Sequence, residues 1–399
     1  MIVKPAQRVA STEEYYFSRK LKAIAQLRAE GHEVLNLGIG NPDRPPAPAV
    51  IERLHRESQQ PRQHGYQSYR GHPQLRRAFA DWYQRFFRVS LDPEAEVLPL
   101  IGSKEGILHL TMSFLNPGEE VLVPNPGYPA YRAAAQLAGA VVREYELGET
   151  GDWLPDLEAL AQMDLSRVKI MWVNYPHMPT GAQASASFFE RLVALARERQ
   201  FLLVNDNPYS FILNDQPRSL LATPGAREVA LELNSLSKSH NMAGWRVGML
   251  AGKAEYLQCV LRFKSNMDSG MFLPVQLAAV EALAQTDDWY RALNATYRER
   301  LELAHAIMDQ LGCRYQRGRV GLFVWAKIPD HWADAYALSD HLLDEARVFI
   351  TPGGIFGSRG ERYLRISLCS DQATLRQARE RIARLGAETL SGHPSKQQS

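Results

Sequence analysis

From about residue 70 to 260 the chain alternates between two textures. Amphipathic stretches such as Pro73 to Phe87 and Ser187 to Arg199 carry apolar residues at helical spacing. Between such stretches lie short apolar runs: Glu120-Val-Leu-Val-Pro124, Lys169-Ile-Met-Trp-Val173, Phe201-Leu-Leu-Val204 and Val247-Gly-Met-Leu-Ala251. Short apolar runs bounded by turn residues and separated by helices predict strands buried on both faces of a mostly parallel sheet. Ahead of this region, a helix is predicted around Glu13 to Glu30. It stops at Gly31, and an extended run, Glu33-Val-Leu-Asn-Leu37, leads into Gly38-Ile-Gly40-Asn-Pro-Asp43. Behind it, a long helical region covers about Pro274 to Gly312. Then the texture changes to Val320-Gly-Leu-Phe-Val-Trp-Ala326, a helix near Ala333 to Ala346, Val348-Phe-Ile-Thr-Pro352 and Tyr363-Leu-Arg-Ile-Ser-Leu368. Strands and a helix in that order predict an α+β segment with antiparallel pairing.

The expected fold is therefore α/β, a large domain with a mostly parallel sheet between helices plus a smaller α+β domain. The N-terminal arm, residues 1–48, joins the small domain; residues 49–285 form the large domain and residues 286–399 the rest of the small one. The polar tail Ser391 to Ser399 is expected to fray.

Composition narrows the function classes. The chain has 399 residues, of which 45% are hydrophobic, enough to bury a large core without disulfides or metal. With 46 basic and 44 acidic residues the net charge is +2, which gives no electrostatic reason to bind nucleic acid or a membrane. Three cysteines, Cys259, Cys313 and Cys369, stand far apart with no metal-ligand spacing, as expected of free thiols in a reducing cytoplasm. The N-terminus has no signal-peptide pattern, and no run approaches the ~18 apolar residues that cross a bilayer.

Six stretches carry candidate chemistry. Lys238, in Ser235-Leu-Ser-Lys-Ser-His, is flanked by small hydroxyl residues rather than by other charges. A lysine that attacks an aldehyde must be neutral, in a site that depresses its pKa. Ser235, Ser237 and the cation Arg246 suit a phosphate seated beside it. Ile101-Gly-Ser-Lys-Glu-Gly106, with Ser103 and Lys104, precedes an apolar helical run, and a helix N-terminus attracts anions. Asn125-Pro-Gly-Tyr128-Pro-Ala-Tyr131 holds an aromatic ring in a turn after a strand, where it could stack on a planar group. Asp206 closes the strand that starts at Phe201, at the end where α/β sheets place ligands, and Tyr209 follows three residues on. Val173-Asn174-Tyr-Pro-His-Met178-Pro-Thr-Gly181 is a proline-rich turn after another strand. Arg365 sits in the middle of an alternating apolar strand, where a bidentate clamp for a carboxylate or a structural ion pair would justify it.

Taken singly these motifs are ordinary caps, turns and surface lysines. In this fixed order they resemble the class I/II aminotransferases of the fold-type I pyridoxal phosphate superfamily, over nearly the whole chain from Tyr15 to beyond Arg365. The resemblance implies that Lys238 forms the Schiff base with pyridoxal 5′-phosphate and shuttles the substrate α-proton. It implies that Asp206 pairs with the pyridinium nitrogen, Tyr209 donates to the ring hydroxyl and Tyr128 stacks on the ring. Ser103, Lys104, Ser235, Ser237 and Arg246 would cup the phosphate, while Arg365 and the backbone at Gly40 would hold the substrate. Tyr66, five residues before Gly71, matches a tyrosine that reaches into the neighbouring subunit, which implies a homodimer with shared active sites. Tyr15-Tyr-Phe17 resembles an element of the LL-diaminopimelate aminotransferase subgroup and makes Tyr15 a candidate substrate contact. Ser269 departs from that subgroup, so diaminopimelate stands as one candidate substrate among amino acids and 2-oxo acids.

A second departure is Met178, where the family carries an asparagine that bonds the ring hydroxyl. A thioether is a weak acceptor and no donor, so Asn174 or His177 would have to substitute, or Tyr209 act alone. The expected reaction is ping-pong transamination, with no metal. A β-lyase on the same scaffold is the alternative enzyme, separable by ammonia release. A cofactor-binding regulatory domain is disfavoured, because the pattern already begins by about residue 15 with no room before it for a DNA-binding module. A nicotinamide dehydrogenase lacks its glycine-rich turn.

Overall fold

The computed structural model describes residues 2–10 and 16–386. Its strands, in chain order, are β1 (Leu35–Asn36), β2 (Val97–Leu100), β3 (Glu120–Asn125), β4 (Val141–Glu146), β5 (Val168–Val173), β6 (Leu202–Asp206), β7 (Ala230–Ser235) and β8 (Gly248–Gly252), followed by β9 (Arg314–Tyr315), β10 (Phe323–Lys327), β11 (Val348–Phe349), β12 (Thr351–Pro352) and β13 (Tyr363–Ser367).

The main sheet has seven strands in the order β2-β8-β7-β6-β5-β3-β4. Pairs β3–β4, β3–β5, β5–β6 and β6–β7 are parallel. The strand predicted near Val247 is β8, and it enters antiparallel to both β7 and β2. Alternate residues of the central strands enter different apolar layers. Trp172, Val204, Leu231 and Leu233 pack on one side, and Met171, Val173 and Leu203 on the other. Burial on both faces is why these strands read as continuous apolar runs.

Helices cover both faces. Pro73–Phe87 starts with proline at its first position, with His72 Nδ1 accepting from the Gln74 amide (3.3 Å), and ends at left-handed Arg88. Ala186–Arg199 is capped by Ser185, whose Oγ accepts from the Phe188 amide (3.0 Å). The long helical region expected from about Pro274 to Gly312 consists of two helices, Leu273–Leu283 and Asp287–Gln310. Asp287 and Asp288 open the second, a favourable placement at its positive end.

The smaller sheet has the order β12-β13-β10-β9, all antiparallel. The expected run Val348 to Pro352 divides: β11 pairs in parallel with β1, while β12 joins the smaller sheet. Leu37 continues beyond β1, its amide donating to Phe349 O (2.9 Å) and its carbonyl accepting from Ser367 N (2.8 Å). That lacing carries Gly38 to Gly40 to the junction between the two sheets. No helix among the described residues is long and apolar enough to cross a membrane.

Candidate active site

Parallel strands end together, so whatever stands just past their carboxyl ends is gathered at one edge of the sheet. Here Asn174 follows β5, Asp206 ends β6 and Ser235 ends β7. They open onto a cavity of about 510 Å³ that the smaller sheet closes from the other side with Phe323 and Arg365. Lys238, Tyr209, Tyr128, Ser103, Lys104, Ser237, Arg246 and Gly40 all line the same cavity.

Lys238 lies on the short helix Leu236–Ser239, directly after β7. Its Nζ donates to the carbonyl of Gly40 at 2.5 Å. Burial lowers its pKa, with the Arg365 and Arg246 charges acting the same way and Cys369 opposing. A neutral amine is the nucleophilic form. Gly40 has no room for a side chain, because a Cβ there would stand 2.6 Å from the Phe323 ring.

An anion cradle lies beside the lysine. Gly102, at φ 79, turns the chain into the helix Ser103–Phe114, whose amino end faces the cavity. A Cβ on Gly102 would stand 2.1 Å from Nη2 of Arg246, so that guanidinium lies against the helix start. Ser235 Oγ accepts from the Ser237 amide (3.0 Å) and donates to Ser237 Oγ (2.7 Å). Two hydroxyls and an arginine beside the start of the helix Ser103–Phe114 suit a dianion.

Asp206 is 4% exposed. Its Oδ2 accepts from the phenol of Tyr131 at 2.9 Å, and its Oδ1 is buried with no partner among the described residues. Burial pushes its pKa up to about 7, against the Tyr131 hydrogen bond, with buried Glu232 adding a further upward push. A carboxylate so placed calls for a cationic N–H.

Arg365 lies across the cavity, its guanidinium carbon 4.0 Å from the Phe323 ring centre and 4.7 Å from that of Phe356. Nη2 donates to Gly38 O (2.6 Å), and Nη1 points at Met178 Sδ (3.4 Å). Met178 thus lines the cavity beside both Asn174 and Arg365. Asn174 spends its side chain on the turn itself, accepting from the Met178 amide (2.8 Å) and donating to the Asp206 carbonyl. His177 is not among the cavity residues; its Nδ1 lies 2.8 Å from Thr180 Oγ1, and burial pushes its pKa down to about 3.

The family model for aminotransferase class I and II matches residues 32–382. The chain belongs to that family. It is 44% identical over 379 residues to the LL-diaminopimelate aminotransferase of Desulforudis audaxviator, covering 94% of this chain and 96% of that one. The LL-diaminopimelate aminotransferase of Nitratidesulfovibrio vulgaris (strain DSM 19637 / Miyazaki F) is 40% identical, with 96% and 99% covered. Among solved structures, substrate-bound BacF from Bacillus subtilis superposes with a TM-score of 0.92 at 37% identity, covering 96% of this chain and 98% of that one. A mutant aspartate aminotransferase of Thermus thermophilus gives 0.89 at 28% identity, with 96% and 100% covered. This aminotransferase is a transaminase that uses pyridoxal 5′-phosphate to move an amino group from an amino acid to a 2-oxo acid in a ping-pong cycle.

The residues fit that cofactor. The orphaned Asp206 Oδ1 suits a ring N–H, the Gly102–Ser103 helix start with Ser235, Ser237 and Arg246 suits a phosphate, and Lys238 lies in the same cavity. Tyr66 is 92% exposed and does not line its own chain's cavity. Tyr15 lies outside the described residues. The sequence reading overlooked Tyr131, although it closes the very stretch that contributed Tyr128, and it overlooked the apolar lining of Leu21, Ile39, Phe323 and Phe356.

Proposed function

We propose that this transaminase takes LL-diaminopimelate as an amino donor and works as a cytoplasmic homodimer, with Lys238 as its catalytic base and nucleophile. The convergence of Lys238, Asp206 and Arg365 on one cavity carries the site assignment. The substrate rests on relatives of that name at 40–44% identity over nearly the whole chain.

When bound, pyridoxal phosphate supplies an electron sink for the charge left on the substrate α-carbon. Everything else falls to the chain. Arg365 grips the α-carboxylate, its plane fixed between Phe323 and Phe356 and its orientation by Gly38 O. Lys238, its pKa lowered by burial and its Nζ held at Gly40, takes the α-proton and returns it on the other side of the exchange. Asp206, with its buried Oδ1 unpartnered among the described residues, would keep the ring nitrogen protonated. Ser103, Lys104, Ser235, Ser237 and Arg246 would anchor the phosphate, Tyr128 would cover the ring, and Tyr209 and Asn174, which line the same cavity, would serve its hydroxyl. Leu21 and Ile39 add apolar lining to the cavity, which suits an aliphatic spacer in the substrate.

Tyr66 supports the dimer. It is nearly fully exposed, and Met267 (58%) and Phe272 (43%) expose apolar surface on the loop whose Gly270 packs on the Gln67 and Ser68 backbone. A polar tip on an apolar face is the form of a residue that completes a partner's site. Three free cysteines suit a reducing compartment.

A half-reaction screen tests the donor. The loaded enzyme is mixed with LL-diaminopimelate, aspartate, glutamate or phenylalanine, and the cofactor absorbance is followed. Diaminopimelate is expected to convert it fastest, and Lys238→Ala to abolish conversion by every donor. No conversion by diaminopimelate would remove that substrate, and conversion by Lys238→Ala at the wild-type rate would remove the lysine.

A further inference from the structure

We propose that Tyr131 is the positioning residue for Asp206: its phenol holds one carboxylate oxygen so that the other, Oδ1, is presented to the cofactor ring nitrogen. The inference rests on the reading of Asp206 as the ring-nitrogen partner.

The local structure builds this pair from two elements. Tyr128 stands immediately before the helix Pro129–Leu137, and Tyr131 lies in its first turn, so one helix start sends two rings toward the cavity. Tyr131 is 1% exposed. Its ring stacks on Trp172 of β5, centroids 4.9 Å apart with the planes 8° from parallel, and meets the edge of Tyr128 at 5.6 Å. A ring clamped in this way has one place for its hydroxyl, and there Asp206 Oδ2 lies 2.9 Å away. The backbone of Asp206 is tied separately, its carbonyl accepting from Asn174. The Tyr131 phenol is the donor that sets the rotation of the carboxylate, and Oδ1 is left buried and without a partner among the described residues.

The phenol cannot reverse its role. Burial and the adjacent Asp206 charge raise its pKa well above the ordinary value, so it stays an O–H donor. The same hydrogen bond lowers the Asp206 pKa against its burial. Removing the hydroxyl therefore has two consequences: the carboxylate loses its orientation, and it holds its own proton to higher pH. Either one weakens its grip on a protonated ring nitrogen. A hydrogen bond to a buried charge is worth about a tenfold or larger change in an equilibrium constant.

The test uses Tyr131→Phe, which keeps the ring and its stack. Dissociation constants of the apoprotein are measured for pyridoxal phosphate and for its 1-deaza analogue, in which carbon replaces the ring nitrogen. Tyr131→Phe is expected to weaken pyridoxal phosphate about tenfold and the analogue less than about twofold. The acid limb of the affinity–pH profile should move to higher pH. In an Asp206→Asn background, Tyr131→Phe should add nothing. Trp172→Phe, which disturbs the stack and leaves the hydroxyl, should weaken both ligands alike and thereby report a merely structural effect. Equal weakening of both ligands by Tyr131→Phe, no weakening, or full additivity with Asp206→Asn would overturn the proposal. If Asp206→Asn alone leaves pyridoxal phosphate affinity unchanged, the Asp206 reading fails and Tyr131 falls with it; if Asp206→Asn weakens binding and Tyr131→Phe does not, Tyr131 fails alone.

Discussion

Met178 is the residue at which this chain most clearly departs from the family pattern it otherwise follows. Its thioether lines the cavity beside Arg365, at the position where the family pattern has an asparagine. The structure shows how the turn accommodates it: Arg365 Nη1 points at the sulfur (3.4 Å), and the Met178 amide is held by Asn174 (2.8 Å). Neither candidate replacement fully restores the donor. His177 faces Thr180 instead, and Asn174 already has one amide hydrogen committed to the Asp206 carbonyl. Introducing an N–H at this point stabilises a negative ring oxygen, which belongs to the deprotonated form of the Lys238-linked cofactor. Met178→Asn is therefore expected to lower the pKa of the pH-dependent absorbance change by about one unit, the size of one ordinary hydrogen bond. A spectral titration that leaves the midpoint in place would show that Tyr209 and Asn174 suffice without it.

At the scale of elements, the proposed phosphate cradle depends on a single backbone conformation. Gly102 at φ 79 lets the chain turn from β2 into the helix that follows, and it leaves the space that Arg246 fills. Gly102→Ala places a carbon 2.1 Å from Arg246 Nη2 and demands of an L-residue the φ 79, ψ 159 backbone that essentially only glycine adopts, a strain of roughly 1–3 kcal/mol. Because Arg246 is exposed, it can swing away, so the chain should still fold while the cradle opens. The expected result is a loss of pyridoxal phosphate affinity of about tenfold or more, with a drop in melting temperature of only a few degrees. Unchanged affinity would mean that the helix start and the serines hold the phosphate unaided. This element was legible in the sequence because its signal is local: a glycine, a serine and a helix within a few residues. The strand β7 was less so. Its sequence Ala-Leu-Glu-Leu-Asn-Ser breaks the apolar-run rule, yet Glu232 is 0% exposed and Asn234 is 2%. Glu232 is accommodated by four donors from distant parts of the chain: Tyr83 (2.9 Å), Asn205 (2.9 Å), Ser219 (2.7 Å) and the Leu220 amide (2.9 Å). Nothing in a window of sequence announces such non-local partners. Tyr131 was missed for the same reason, since the carboxylate that gives it meaning lies 75 residues away.

For the whole molecule, the site makes the apoprotein's stability depend on pH in a way the cofactor should reverse. Burial raises the Asp206 pKa to about 7, against about 3.9 in an unfolded chain. Between those values the folded apoprotein binds a proton that the unfolded chain does not. Stability attributable to this group is thus present below pH ~4 and is lost as pH rises toward about 7, where a charge must be held in an apolar place. Two buried histidines act with the opposite sign. Burial lowers His177 and His240 to about 3, below the unfolded value of ~6.5, so their contribution is complete above that value and falls away in acid. The contributions of these three groups overlap between about pH 4 and 6.5, and of the three only Asp206 changes from there to about 7. Asp206→Asn keeps the shape and removes the charge. The apoprotein variant is expected to melt higher than wild type at pH 8 and at nearly the same temperature at pH 4, where wild-type Asp206 already holds its proton in the folded chain. With pyridoxal phosphate bound the order at pH 8 should invert, because the ring nitrogen now satisfies Oδ1 and the asparagine variant lacks that pair. Melting curves of both proteins, loaded and stripped, at the two pH values decide it. A wild-type apoprotein as stable as the variant at pH 8 would show that the carboxylate is already solvated or paired without the cofactor, and that the empty site stores no electrostatic strain for binding to relieve.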